Sequence, residues 1–98
     1  MTFRWLNKQG VESDQGFVLQ SVDRYAFEYR EGGKTLRLDG ESMFSGLGNA
    51  SFGFSFNPSW RTVGWQSPNG AISDRDRERI VQNIKDAMAF MGGTTEFV

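Results

Sequence analysis

The chain has 98 residues, with 11 basic and 12 acidic side chains and neither cysteine nor histidine. That length suits one domain, 1–98, with a single core, and the missing thiol and imidazole remove disulfides, thiolate chemistry and the commonest general base and metal ligand. A formal charge of −1, mixed along the chain, argues against a basic nucleic-acid footprint and a polybasic membrane patch, and no apolar run approaches the roughly 20 residues that span a bilayer.

The first ten residues hold no apolar signal-peptide core, so a reducing cytoplasm is the expected location. Phe3 and Trp5 give a short strand or an irregular arm, followed by a polar loop through Glu12–Gly16. Phe17-Val18-Leu19 is β-prone and too short for a helix, so it is a strand or the lead-in to one. Tyr25–Arg30 is the clearest strand, with Tyr25, Phe27 and Tyr29 on one face. Glu31-Gly32-Gly33-Lys34 then reads as a hairpin turn, and Thr35–Asp39 as the returning strand with Leu36 and Leu38 inward.

Gly40–Ala50 is rich in glycine and serine and predicts a loop of roughly ten residues, functional or merely passive. Ser51–Phe56 alternates phenylalanine with small residues and predicts another strand. Asn57-Pro58-Ser59 marks a turn, Trp60–Gln66 a further strand and Ser67-Pro68-Asn69-Gly70 a second turn. The longest pattern is Ser73–Met91, an amphipathic helix with Ser73 as N-cap and Asp74 and Asp76 in the first turn. Its apolar stripe is Ile80, Val81, Ile84, Ala87, Met88 and Met91, and Gly92-Gly93 ends it. Thr94–Val98 could add an edge strand. The sum is an α+β domain: an antiparallel sheet of four or five strands with one long C-terminal helix across one face.

Few residue groups point to chemistry. Glu12 and Asp14 have no apolar surroundings to separate their pKa values and read as a solvated loop. Gly46-Leu47-Gly48-Asn49 lacks the spacing of a phosphate loop. Residues 74–79 alternate in sign and read as a solvated helix start with local ion pairs. Tyr25, Phe27 and Tyr29 with Arg24 and Arg30 could stack on single-stranded RNA, but such alternation is more often core. Trp60 and Trp65, five apart on an expected strand, point to opposite faces, so one should lie near the surface beside Arg61. Tryptophan and arginine are enriched at binding hot spots; a tryptophan that only braces a turn is the alternative. Catalytic residues, cofactors and metal ligands are not expected.

The run Tyr25–Glu41 resembles the opening hairpin of small bacterial immunity proteins from polymorphic toxin and contact-dependent inhibition systems. Trp65, Pro68, Ile72-Ser73, the helix segment Arg79–Ile84 and the Gly92-containing end are similar to that family's tail. The likeness runs over roughly Phe17–Val98 and departs from the family in the N-terminal arm and the longer Gly40–Ala50 loop. It implies a protein that is not an enzyme and that neutralises a cognate toxin domain by stoichiometric binding. The anchors expected on that basis are Trp60, Arg61 and Trp65, with Met43 and Phe44 from the long loop. A sheet edge offers strand addition or a dimer as another route. The alternative is a small nucleic-acid-binding or other ligand-binding module.

Overall fold

The computed structural model describes residues 2–43 and 52–98. β1 (Phe3–Asn7), β2 (Gly10–Ser13), β3 (Phe17–Asp23), β4 (Ala26–Glu31), β5 (Lys34–Met43) and β6 (Phe52–Phe56) form a meander, each antiparallel to the one before. A 3-10 turn at Pro58–Arg61 follows, then a small hairpin of β7 (Trp65–Gln66) and β8 (Asn69–Gly70). Helix α1 (Asp74–Phe90) leads to β9 (Gly93–Phe97), which pairs parallel to β6. The class is α+β, but the sheet has seven strands and is mixed, not four or five and wholly antiparallel.

Two causes account for the difference. β1 is an edge strand, exposed from Arg4 to Asn7, and β2 carries Gly10, Glu12 and Ser13, so neither shows a clean apolar alternation. The loop expected at Glu12 starts only after Ser13; Glu12 pairs with Arg4, and Asp14 accepts the Thr2 amide at 2.9 Å. That amide hydrogen bond holds the Asp14 carboxyl below the usual carboxylate range. The parallel pair follows from α1: 17 residues make about 25 Å of helix, enough to carry the chain back to the start of β6.

Three smaller corrections belong here. Gly40–Met43 is strand, since Gly40 lies opposite Phe56 and Met43 opposite Gly53. Trp60–Gln66 is not one strand, because Asn57 accepts the Ser59 amide and caps a 3-10 turn. Tyr25 sits in the turn before β4 and is 57 % exposed, leaving Phe27 and Tyr29 as the inward aromatics. The β4–β5 hairpin is as expected: Glu31 faces Lys34 across Gly32 and Gly33, whose φ values of 56° and 78° only glycine adopts freely.

The core is a row that runs across four strands, Val11–Leu19–Tyr29–Leu36, with Phe17, Phe27, Leu38, Phe54 and Phe56 around it. Ile80, Ile84, Ala87 and Met88 of α1 close over it, as the apolar stripe requires. Each large side chain buried this way contributes about 1.5–3 kcal/mol. The sheet curls round the helix: Phe90 meets Phe3 and Trp5 of β1 at ring distances of 5.4 and 5.8 Å, while α1 also touches β9 at the other edge. Ser73 caps α1 by accepting the Asp76 amide, and Gly92, at φ 88°, ends it.

Candidate functional site

The turns of a meander alternate between the two ends of its sheet. Those after β1 and β3, and the paired ends of β5 and β6, therefore collect at one end. Helix α1 stops beside them at Phe90, and the inner face past it forms a cleft of about 430 Å³. Phe27, Phe54 and Met91 supply its apolar floor and Trp5 one wall. Its rim carries Lys8, Asp23 and Arg24, with Ser21 and Ser42 between them.

The rim charges are not equivalent. Asp23 is engaged: it accepts the Tyr25 amide at 2.6 Å and pairs with Arg37 at 3.2 Å. Arg37 also bonds Asp39, and that bond does most to hold its guanidinium above the ordinary value. Lys8 and Arg24 have no carboxylate partner among the described residues, and Arg24 lies 6.0 Å from the Tyr25 ring. Trp5, though it touches Phe90, is 50 % exposed, and Phe90 is 43 % exposed. Aromatic surface and cations at the mouth of a recess suit recognition.

The residues singled out from the sequence lie elsewhere, and the structure does not bring them all together. Trp60 is half-buried, its ring 5.3 Å from that of Phe97 and its indole N–H donating to the Val98 carbonyl at 2.7 Å. Arg61 donates to the same carbonyl at 3.1 Å and lies 5.3 Å from the Trp60 ring. Those two do adjoin. Trp65 is apart from them and 5 % exposed, with Tyr29 stacked at 6.3 Å and Lys34 on its face at 5.6 Å. It is a core residue, and a partner docking on this fold has almost none of it to touch. The opposite-faces argument fails because the chain between the two tryptophans turns instead of running extended. Phe44 and the Met43 side chain lie outside the described residues.

One further expectation changes and another holds. Arg77, expected in a solvated helix start, instead donates to the carbonyls of Trp60 and Val63 at 2.8 Å and of Ile72 at 3.3 Å. It ties the crossover to the helix. Phe27 and Tyr29 are 5 % and 0 % exposed, so they are core, as their alternation suggested, and offer RNA no stacking platform.

A second, shallower groove of about 380 Å³ runs from Trp60 along Asp74, Glu78 and Val81 of α1. Sequence reasoning named Arg24 and Phe27 for another role and missed that they meet Trp5, Lys8 and Phe54 at one cleft. The one signal was Trp5, a large aromatic in a segment otherwise too polar for core. Among the described residues no group of three His, Cys, Asp or Glu is placed to hold a metal ion. No helix of the described residues is long and apolar enough to cross a membrane. Compared with protein-family models, curated proteins and solved structures, the chain matches none.

Proposed function

We propose that this chain is an immunity protein that neutralises a cognate toxin domain in the bacterial cytoplasm by binding it mole for mole. The observation that carries the reading is the exposed aromatic rim, Trp5 and Phe90, around a recess beside the end of α1. Large aromatics half open to solvent cost hydration in the free protein and become anchors once a partner covers them. The resemblance in the hairpin and the tail supports the same reading. Binding occludes the toxin's active site or a surface beside it, and the account asks nothing catalytic of this chain. The two outer strands, β1 and β9, give a partner strand a further place to add.

The cleft itself favours a second reading, a module for a small ligand, since its volume falls within the usual range for such sites. Co-expression with the product of the adjacent upstream gene separates the two. The first reading predicts restored growth and a complex that co-purifies. A harmless neighbour, or killing that is equal with and without this protein, removes it.

A further inference from the structure

We propose that the cleft beside Trp5 receives an acidic segment of a protein partner, a carboxylate between Lys8 and Arg24 and a large apolar side chain against Phe27 and Phe54. The inference rests on the protein-binding reading above and names the chemistry of the partner.

Charge complementarity identifies the occupant. Arg4, Arg30, Arg37 and Arg79 each face a carboxylate of this chain, and Arg77 is spent on three carbonyls. Among the described residues Lys8 and Arg24, like Lys34, Arg61, Arg75 and Lys85, face no carboxylate, and Lys8 and Arg24 line one recess together. The acid beside them, Asp23, is already held by Arg37 and the Tyr25 amide. An incoming carboxylate therefore finds two cations to satisfy and one pre-neutralised neighbour. The floor below is aromatic and sulfur-lined and takes an apolar side chain, not a second charge. The size of the surface argues for a polypeptide over a metabolite. Apolar surface continues from the Trp5 wall onto the exposed ring of Phe90, which does not line the recess and which an extended partner can cover.

The probe is a blocked peptide, acetyl-Asp-Leu-Phe-Glu-Asp-amide, titrated into the full chain and followed by the indole N–H signals of the three tryptophans. Only Trp5 lies at the cleft; Trp60 and Trp65 report on other parts of the surface and core. The expected result is a saturable shift of the Trp5 signal alone. The isosteric peptide with Asn and Gln in place of the acids should bind at least about tenfold more weakly. So should the acidic peptide with the double variant Lys8→Glu/Arg24→Glu, whose exposed side chains face no carboxylate among the described residues, so that the fold is unchanged. A Trp5 signal that does not move, or moves equally with the neutral peptide, overturns the proposal. So does 3-phenylpropionate binding as tightly as the peptide, which would mark a small-molecule site. The neighbour's product then distinguishes the two levels. A toxin complex that forms unchanged with Lys8→Glu/Arg24→Glu sinks the cleft chemistry and spares the immunity reading. Peptide binding without any toxin complex does the reverse.

Discussion

Tyr29 joins three parts of the molecule. Its ring stacks on Phe17 at 5.5 Å and Trp65 at 6.3 Å, and its hydroxyl donates to Glu31 at 2.7 Å while accepting from Asn83 of α1 at 3.0 Å. Glu31 follows two residues after Tyr29 on one strand, so both face the helix, where Arg79 completes the set. Burial, with Glu31 adding to it, pushes the Tyr29 hydroxyl far above the ordinary tyrosine range. The folded state therefore keeps a proton that the unfolded chain gives up above about pH 10. Stability from this group is complete below that pH and falls as pH rises past it. Tyr29→Phe strands the Asn83 amide and should cost about 1–3 kcal/mol near neutrality. It should also flatten the alkaline loss, read by urea denaturation on both sides of about pH 10. An unchanged alkaline slope would contradict this account of Tyr29. Arg77 makes a parallel case. Arg77→Met leaves three carbonyls without their donor and should cost about 1.5–3 kcal/mol in the same assay. Arg77→Lys should recover only part, because an ammonium cannot fork to three acceptors as guanidinium does. Equal stability of the Met variant and the parent would mean that packing and the turn's own hydrogen bonds hold the segment 60–63 without Arg77.

Among the elements, the β5–β6 pair is the tightest fit. A Cβ on Gly40 would stand 2.1 Å from the Ser55 carbonyl oxygen and 2.7 Å from the Phe54 ring, so Gly40→Ala must push strand backbone aside. The expected loss is about 1–3 kcal/mol. Gly70→Ala, where nothing lies within 4 Å, should stay within about 0.5 kcal/mol and serves as the control. Equal midpoints for the two variants in denaturant would show that β6 shifts freely. The same elements show how far the sequence could be read. The β4–β5 hairpin and α1 were legible because period 2 around Gly-Gly and the stripe from Ile80 to Met88 are strong local signals. β1 and β2 were not, because their few apolar residues, Phe3, Trp5 and Val11, are scattered among polar ones, although they pack on Phe17, Phe90 and the core row. The direction of β9 was illegible for another reason. Thr94 to Phe97 reads as strand, but only the return path of α1 sets it parallel to β6.

At the scale of the whole molecule, the cleft is a product of topology. Lys8, Arg24 and Ser42 are ordinary turn and strand-end residues, far apart in sequence, that the curled meander places round one recess. No spacing along the chain announces that. Trp60 and Arg61 were legible as a pair that adjoins, whereas Trp65 was misplaced because a 3-10 turn breaks the strand assumed between them. The double variant Lys8→Glu/Arg24→Glu belongs to this scale too, since it alters the recess and nothing in the core. The central claim is that this protein acts by occupying a partner, one molecule to one. Its most direct test titrates purified protein into a fixed amount of the adjacent gene's product while toxin activity is followed. The account predicts a linear fall that reaches zero at one equivalent. Activity that persists at large excess, or disappears at a small fraction of an equivalent, would contradict it.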